Sequence, residues 1–256
     1  MNYHIIIPAR YHSSRLPGKV LREIQGKPLI QYVYERAELC GADSIIIATD
    51  DERVQRVAEG FGATVCMTET THERGSDRLA EVVEKFKFRD EEWIVNLQGD
   101  EPLVPPEAVR KAVLAIEQNP TVAMTTLCTP IQESDELHDP NCVKVVFDKE
   151  GHALYFSRSL IPYDVLKNAI SNEISKNTYF RHIGLYTYKV KTLKQYKQWG
   201  PSPLEISESL EQLRVLWQGE KIHVSVIQEG LPPGIDTEVD LMRFTRHLEE
   251  LALIPS

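Results

Sequence analysis

The sequence has no apolar run approaching the roughly 20 residues of a membrane-spanning helix. Its first residues do not have the layout of a secretory signal peptide. The four cysteines have no Cys-x-x-Cys spacing, so the sequence indicates neither a zinc site nor a redox motif. Three of them, Cys40, Cys66 and Cys128, lie in apolar segments, as expected of buried thiols in a reducing compartment. We therefore expect a cytoplasmic protein with no membrane partner.

The common signatures of nucleotide binding and of hydrolysis are also missing. Neither the G-x-x-x-x-G-K-[ST] motif nor the G-x-G-x-x-G motif occurs, and no Ser-His-Asp order is evident. A formal net charge of −9 argues against a general nucleic-acid surface, so we expect no nucleic-acid partner. In an acidic chain, basic residues that cluster in one loop indicate a local site for an anionic ligand.

Such a loop follows the first predicted strand. Ile5, Ile6 and Ile7 are consecutive β-branched residues, which is typical of a strand buried on both faces, and Pro8 ends it. The loop that follows contains three cations and two hydroxyls, namely Arg10, Arg15, Lys19, Ser13 and Ser14. A cationic loop at the carboxyl end of a first strand is where open α/β sheets bind phosphorylated ligands. The alternative is a solvated basic turn.

Strands and helices alternate through the first half of the chain. Buried strands are predicted at 44–49, 64–67 and 93–97, and the intervening segments have helical spacing of apolar residues. Asp50 and Asp51 are placed to cap the second of these helices. This alternation predicts a mainly parallel sheet with helices on both faces, a three-layer α/β/α arrangement.

The pattern changes after about Thr121. Strands are predicted at 123–128, 143–147, 153–157, 182–188 and 222–227, with fewer helices between them. One helix is predicted from about Glu205 to Gln218 and a final one from about Val239, while the segment from Tyr163 to Thr178 is polar and predicted to be mobile. With 256 residues, we interpret the chain as a single domain, 1–256, with an embedded antiparallel subdomain at about 130–200.

Two aspartates are candidates for metal ligands. Asp100 follows a buried strand in the block Gln98-Gly99-Asp100-Glu101-Pro102, and Asp236 lies in a glycine-containing loop before the last helix. Mg²⁺ is commonly held by one or two carboxylates together with phosphate oxygens and water. The alternatives are an acidic turn for Asp100 and a helix cap for Asp236.

Two other sets of residues have weaker signals. The glycine, hydroxyl and backbone groups of 72–78 could contact a nucleotide base, or Ser76 or Asp77 could simply cap the following helix. Arg158 could bind a carboxylate through its planar guanidinium or form a surface ion pair. His182, Glu211 and Gln212 do not belong to any recognisable functional motif in the sequence.

Several of these segments together resemble one enzyme family. The chain is similar to the 3-deoxy-manno-octulosonate cytidylyltransferases, also called CMP-Kdo synthetases, nearly from end to end. The resemblance is carried above all by the segments Ile7-Pro8-Ala9-Arg10-Tyr11, Arg15-Leu16-Pro17-Gly18-Lys19, Asn96-Leu97-Gln98-Gly99-Asp100-Glu101-Pro102, Leu210-Glu211-Gln212-Leu213-Arg214 and Gly234-Ile235-Asp236-Thr237. The chain has Arg74-Gly75-Ser76 where the family usually has Ser-Gly-Thr, and Ser76 keeps the hydroxyl.

The resemblance implies a nucleotidyltransferase fold, CTP and the sugar acid Kdo as substrates, and CMP-Kdo and pyrophosphate as products of a step in lipopolysaccharide synthesis. It implies a requirement for Mg²⁺ held by Asp100 and Asp236, and a triphosphate held by Arg10, Arg15 and Lys19, with Ser13 beside them. It also implies a base contacted by Arg74, Gly75 and Ser76. The sugar acid would be surrounded by Gln98, Arg158, His182, Tyr186, Glu211 and Gln212. We expect a homodimer in which the 130–200 subdomain contributes to sugar binding and dimerisation.

Two other interpretations of the sequence remain open. A different sugar-acid cytidylyltransferase, for example of the acylneuraminate type, would share the first loop but need other sugar contacts. A nucleotide-binding regulator without catalysis would keep the phosphate loop and lose the metal ligands. The presence of both Asp100 and Asp236 argues against the regulator.

Overall fold

The structure is a computed structural model that describes residues 2–13, 15–72, 74–163, 165, 178–228 and 230–252. Most of the segment from Tyr163 to Thr178, for which the sequence predicts mobility, lies outside these residues. No helix in the described part of the chain is both long and apolar enough to cross a membrane.

The strands, in chain order, are β1 (Tyr3–Pro8), β2 (Glu23–Ile24), β3 (Lys27–Pro28), β4 (Ser44–Thr49), β5 (Thr64–Met67), β6 (Trp93–Asn96), β7 (Met124–Pro130), β8 (Lys144–Phe147), β9 (Ala153–Ser157), β10 (Phe180–Lys189) and β11 (Ile222–Val226). The helices with described bounds are α1 (Leu29–Glu38), α2 (Glu52–Gly60), α3 (Gly75–Lys85), α4 (Pro106–Gln118), α5 (Ser134–His138), α6 (Val190–Gln198), α7 (Pro203–Glu208), α8 (Leu213–Trp217) and α9 (Glu238–Ala252). The predicted α/β class is thus confirmed.

The chain divides into two compact units. The first comprises Met1–Lys87, Ile94–Glu107 and Leu231–Ser256, and the second comprises Phe88–Trp93 and Ala108–Gly230. Each is described separately below.

The first unit contains the predicted parallel strands. They are arranged in the order β6-β1-β4-β5, and β1 pairs with β4, and β4 with β5, in parallel. Ile5, Ile6 and Ile7 of β1 have no solvent exposure, as a strand covered on both faces requires. Asp51 caps α2, because its side chain accepts a hydrogen bond from the amide of Arg53 at 2.8 Å. The β2–β3 hairpin was not predicted.

The second unit contains the strands predicted for the second half. β10 pairs with β7 and β8, and β8 pairs with β9, all antiparallel, whereas β11 pairs with β7 in parallel. The short helices α5 and α6 were not predicted. The capping box of α7, in which Ser202 and Glu205 exchange hydrogen bonds with each other's backbone amides, matches its sequence.

The predicted single helix from Glu205 to Gln218 is wrong. The chain instead forms α7 and α8, separated at Ser209, which has a left-handed backbone conformation with φ 52° and ψ 46°. Leu210 is buried directly after this break. Burial of Leu210 and the left-handed cap at Ser209 outweigh the helical spacing of the apolar residues, and Glu211 and Gln212 lie in the resulting turn.

An apolar cluster in the first unit fixes the loops that matter for function. It comprises Leu16, Ile24, Leu29, Ile235, Leu241 and Phe244. Leu16 belongs to the cationic loop, and Ile235 precedes Asp236. Burial of these two side chains therefore anchors both loops to one core.

Candidate active site

A polar cavity of about 320 Å³ opens at the end of β1 in the first unit. It is lined by Pro8, Arg10, His12, Ser13, Arg15, Lys19, Val20, Gly75, Gln98, Gly99, Asp100 and Asp236. Eight of the predicted site residues are thus brought together: Arg10, Ser13, Arg15, Lys19, Gly75, Gln98, Asp100 and Asp236. His12 was not predicted, although its position within the cationic loop could have indicated it.

The cationic loop is closed by local contacts. The amide of Gly18 donates to the carbonyl oxygen of Tyr11 at 3.2 Å, and Gly18 has φ +65°, where a side chain is disfavoured. The Tyr11 ring lies 3.4 Å from the guanidinium carbon of Arg53, a cation–π contact. These contacts position Arg15 in the loop and Lys19 at the first residue of the short 3₁₀ helix Lys19–Leu21.

Gly99 allows the loop after β6 to approach the end of β1. A Cβ atom at this position would lie 2.8 Å from the carbonyl oxygen of Pro8, a distance that side chains do not tolerate. The glycine of the Gln-Gly-Asp-Glu-Pro block therefore brings Asp100 beside the cationic loop.

Lys19 contacts both predicted metal ligands. Its Nζ atom lies 2.5 Å from Oδ2 of Asp100 and 3.0 Å from Oδ1 of Asp236. Burial alone would lower the pKa of Lys19, but the charges and hydrogen bonds of the two aspartates outweigh burial and raise it. The ammonium group is therefore held in its charged form between the carboxylates.

A second cation, Arg15, completes the cluster. Nη2 of Arg15 lies 2.8 Å from Oδ2 of Asp236, so Asp236 contacts Arg15 with one oxygen and Lys19 with the other. The Arg15 side chain is 65% exposed, so it can leave this ion pair for an anionic ligand at little cost.

Glu101 is a functional candidate that the sequence interpretation missed. Its Oε2 atom is buried with no hydrogen-bonding partner among the described residues. Burial, and secondly the charge of Asp100, raise the pKa of Glu101 to about 8. The signal that could have indicated it was its place beside Asp100 in the same block.

The predicted base-binding segment starts a helix. α3 begins at Gly75 with Arg74 as the cap residue, and Arg74 makes no side-chain capping hydrogen bond. The alternative that Ser76 or Asp77 caps this helix is wrong, because both lie inside it. Ser76 is fully buried, and Gly75 lines the cavity, so the amino end of α3 faces the polar cavity.

The remaining predicted residues lie in the second unit. Arg158 donates from Nε to the carbonyl oxygen of Glu208 at 2.7 Å and from Nη1 to that of Pro140 at 2.9 Å. A weaker contact of 3.5 Å joins Nη2 to the carbonyl oxygen of Ser209. The described contacts of the guanidinium are therefore with carbonyl oxygens, and not with a carboxylate as the surface ion-pair alternative supposed.

His182 lies between two aromatic rings, those of Phe156 at 4.9 Å and Tyr186 at 5.4 Å between centroids. Desolvation lowers the pKa of His182 to about 3, so the imidazole is neutral at pH 7. Its Nε2 atom lies 3.0 Å from Oγ1 of Thr126, and the Thr126 hydroxyl is also within hydrogen-bonding distance of the carbonyl oxygens of Ile183 and Leu185. When the hydroxyl donates to either carbonyl oxygen, Nε2 donates to Oγ1 and Nδ1 is left as an acceptor.

Glu211 and Gln212 lie between α7 and α8. The Nε2 atom of Gln212 is buried and has no acceptor within the described part of the chain. A buried amide of this kind is suited to a ligand oxygen. The carbonyl oxygen of Glu211 accepts a hydrogen bond from the Tyr196 hydroxyl at 3.1 Å.

The chain is similar in sequence to known cytidylyltransferases. The sequence profile of a family described as cytidylyltransferase matches residues 4–222. A 3-deoxy-manno-octulosonate cytidylyltransferase of Vibrio parahaemolyticus serotype O3:K6 is 52% identical over 243 residues, which is 94% of this chain and 96% of the relative. An enzyme of the same name from Coxiella burnetii (strain Dugway 5J108-111) is 48% identical over 245 residues, 95% of this chain and 98% of the relative.

Solved structures agree with these relatives. A CMP:2-keto-3-deoxy-manno-octonic acid synthetase complexed with CTP superposes with a TM-score of 0.89 at 40% identity, covering 98% of this chain and all of that one. A cytidylyltransferase of Leptospira borgpetersenii serovar Hardjo-bovis has a TM-score of 0.63 at 14% identity, covering all of this chain and 89% of that one, and supports the fold alone. The chain therefore belongs to the 3-deoxy-manno-octulosonate cytidylyltransferase family.

Proposed function

We propose that this chain transfers CMP from CTP to Kdo and releases pyrophosphate, which activates Kdo for lipopolysaccharide synthesis. The observation that carries the proposal is the convergence of Lys19 on Asp100 and Asp236 at the rim of the polar cavity. The cations suit the phosphates of a nucleoside triphosphate, and the two carboxylates suit a divalent cation bound with it. The similarity to an enzyme complexed with CTP supports CTP as the nucleotide.

Transfer of a nucleotidyl group depends mainly on positioning and on neutralising charge. Arg10, Arg15 and Lys19 would hold the triphosphate, and their charges would stabilise the departing pyrophosphate. Ser13 would add a hydroxyl, since its Oγ already accepts from the amide of Leu16 at 3.4 Å and keeps its proton for another acceptor. Arg74, Gly75 and Ser76 would contact the base at the amino end of α3.

Asp100 and Asp236 would hold Mg²⁺. Their donor chemistry fits this ion, because two carboxylates meet on one cation and hard oxygen ligands are those that Mg²⁺ prefers. When bound, the ion would supply charge neutralisation at the phosphates. Lys19 contacts one oxygen of each carboxylate, so the other oxygens, Oδ1 of Asp100 and Oδ2 of Asp236, would be the ones to hold the ion, the latter once Arg15 leaves it.

In the second unit, the sugar acid would be contacted by Arg158, His182, Tyr186, Glu211 and Gln212. In the first unit, Gln98 lines the polar cavity. In the second unit, the neutral imidazole of His182 can accept a hydrogen bond at Nδ1 from a sugar hydroxyl, and the buried amide of Gln212 can donate one. Arg158 would bind the carboxylate of Kdo. A Kdo hydroxyl would attack the α-phosphorus opposite the leaving pyrophosphate.

The proposal is tested by supplying purified protein with CTP, GTP, ATP or UTP, each with Kdo or with N-acetylneuraminate, in the presence of Mg²⁺. Mass spectrometry of the products identifies the pair that reacts. We expect CMP-Kdo from CTP and Kdo. A product only with N-acetylneuraminate would assign the chain to an acylneuraminate-type activity, and no product with any pair would support a non-catalytic regulator.

We further propose that the protein is a homodimer located in the cytoplasm. Leu154, Ile206 and Trp217 in the second unit are more than half exposed, which is consistent with an apolar contact surface between copies. The four cysteines are free and buried, which is compatible with a reducing compartment. Light scattering tests the dimer. We expect the mass of two chains for the wild type and a smaller mass for Trp217→Glu. A wild-type mass of one chain would contradict the dimer.

A further inference from the structure

A second cavity in the first unit lies outside the proposed catalytic site. Its volume is about 370 Å³, similar to that of the polar cavity, but its walls are mostly apolar. The apolar part is formed by Pro102, Leu103, Pro232, Pro233, Ile235 and Phe244. Phe244 is held by an edge-to-face contact with Tyr32 at 5.3 Å between centroids, so this part of the wall is already formed without a ligand.

The charged side chains of this cavity are predominantly cationic. Arg36 and Arg243 carry fixed positive charges, and His247 contributes a ring with polar nitrogens. Arg36 uses only its Nε atom in a described contact, a bond of 3.4 Å to the carbonyl oxygen of Pro102. Arg243 is 64% exposed and makes a long contact of 3.3 Å with Oδ1 of Asp240. Both guanidinium groups therefore retain donors for a ligand.

Among the described lining residues, the carboxylate is that of Asp240, and the adjoining loop already engages it. Oδ2 of Asp240 accepts from the hydroxyl of Thr237 at 2.7 Å, from its amide at 3.0 Å and from the amide of Asp236 at 3.3 Å. These bonds turn the negative charge of Asp240 toward the loop. With two arginines and one aspartate, the charged side chains among the described lining residues carry a net positive charge.

The same contacts connect the cavity to the catalytic aspartates. Asp240 holds the backbone amide of Asp236, and the amide of Ile235 donates to the carbonyl oxygen of Asp100 at 2.8 Å. Pro102 and Ile235, which line the second cavity, are two residues and one residue from Asp100 and Asp236. A displacement of this wall would therefore move the backbone that positions both carboxylates.

We propose that the second cavity binds a small organic anion with an apolar body, of the aromatic or branched aliphatic carboxylate or sulfonate class, and that its occupancy alters binding at the polar cavity. The apolar body would be desolvated against the proline, leucine and phenylalanine side chains. The anionic group would be held by guanidinium groups, whose planar geometry suits carboxylates and sulfonates. A ligand that draws Arg243 away from Asp240 would change the position of Asp240, which accepts a hydrogen bond from the backbone amide of Asp236.

The binding part is tested with the fluorescent aryl sulfonate 8-anilinonaphthalene-1-sulfonate, without CTP or Kdo. We expect saturable binding at one site per chain. Arg243→Gln and Arg36→Gln should each weaken it by about fivefold or more, because each removes a charge-assisted contact. The matched control is Arg246→Gln, which neutralises an exposed arginine of α9 outside the cavity lining and should change the affinity by less than about twofold.

Unchanged dye affinity in both Arg243→Gln and Arg36→Gln, with thermal unfolding showing that each variant is folded, would overturn the proposal. Neither substitution touches the polar cavity, and the dye measurement needs no turnover. Failure of this proposal is therefore distinguishable from failure of the proposed function.

The coupling part is tested by calorimetric titration of CTP with Mg²⁺ at several dye concentrations. We expect the apparent CTP affinity to change by about threefold and then reach a plateau, with CTP changing the dye affinity by the same factor, as linkage between two sites requires. A CTP affinity that falls without limit as dye increases would mean that the dye occupies the polar cavity. That result, or a CTP affinity that does not change with dye concentration, would overturn the proposed coupling between the two cavities.

Discussion

The backbone amide of Ile235 donates a hydrogen bond of 2.8 Å to the carbonyl oxygen of Asp100. This bond joins two loops that are far apart in the sequence, and Lys19 contacts both Asp100 and Asp236. Together with burial of Leu16 and Ile235 in one apolar cluster and the close approach at Gly99, the bond holds these loops side by side.

The first prediction concerns the two aspartates. Asp100→Ala and Asp236→Ala should each reduce kcat by about a thousandfold, since each removes a carboxylate that would hold Mg²⁺ at the reacting phosphates. Asp43→Ala, at an exposed aspartate of the same unit, is the control and should retain normal kcat. Pyrophosphate release gives the rates. Near-normal turnover in either aspartate variant at ordinary Mg²⁺ concentrations would remove that residue from the proposed site.

The second prediction concerns Lys19, the cation that contacts both aspartates. Lys19→Met should leave two carboxylates without their shared cation, so thermal unfolding in EDTA should occur at a lower temperature than in the wild type. Added Mg²⁺ should restore more stability in the variant than in the wild type. An equal response to Mg²⁺ in both proteins would contradict the shared site. Steady-state kinetics should in addition show a raised KM for CTP with little change in the KM for Kdo.

The third prediction separates two roles of Arg158. If it binds the Kdo carboxylate, Arg158→Lys should raise the KM for Kdo about tenfold, because the planar fork is lost while the charge is kept. CTP binding without Kdo should stay near normal. If its only role is to hold the carbonyl oxygens of Glu208 and Pro140, the substitution should lower the melting temperature and leave the KM for Kdo unchanged. That second pattern would exclude Arg158 from the sugar-acid site.

Comparison with the sequence shows which features were predictable. The buried strand of Ile5, Ile6 and Ile7 and the cationic loop after it were evident because both depend on neighbouring residues. The contact of Lys19 with Asp100 and Asp236 was not, because it joins residues separated by 81 and 217 positions. Such contacts depend on tertiary packing. The residues alone indicated Asp100 and Asp236 as candidate metal ligands, and the resemblance to a family added Lys19 as a ligand of the triphosphate.

Two local features were also missed for physical reasons. The break at Ser209 has no glycine or proline to mark it, and the apolar spacing continues across it, so the helical periodicity was misleading. The raised pKa of Glu101 depends on burial of its carboxyl group, which its position beside Asp100 in the sequence does not by itself reveal. The helix break at Ser209 and the raised pKa of Glu101 both depend on surrounding residues in the fold rather than on the residue type.

The fourth prediction concerns a buried ion pair that connects the loop after β4 to α3. The guanidinium of Arg78 is fully buried and lies 2.8 Å from Oδ2 of Asp50. Arg78→Met should lower the free energy of unfolding by about 3 kcal/mol, because it leaves the largely buried Asp50 carboxylate without a partner. Urea unfolding measures the difference. Arg56→Met, at an exposed arginine of α2, is the control, and a loss no larger than in this control would contradict the structural role of the pair.

The fifth prediction is a pH dependence of stability. Burial alone would raise the pKa of Glu81, but hydrogen bonds from Lys85, from the Glu69 amide and from His72 outweigh it and lower the pKa from 4.5 to about 2. A carboxyl whose pKa is lower in the folded state contributes stability that is present above pH 4.5 and is lost as the pH falls toward 2. Glu81→Gln should therefore cost at most about 3 kcal/mol at pH 6 and progressively less between pH 4.5 and 2. A difference between the two proteins that did not change with pH would contradict this assignment.

The central claim is that the polar cavity directs CMP from CTP to Kdo. The most direct measurement follows the label of CTP carrying ³²P at the α-phosphate, with wild-type protein, Mg²⁺ and Kdo, and in parallel without Kdo. We predict that the label appears in CMP-Kdo only when Kdo is present, while CTP labelled at the γ-phosphate gives labelled pyrophosphate. Label that stayed in CTP with Kdo present, or that appeared as free CMP at the same rate with and without Kdo, would contradict the account.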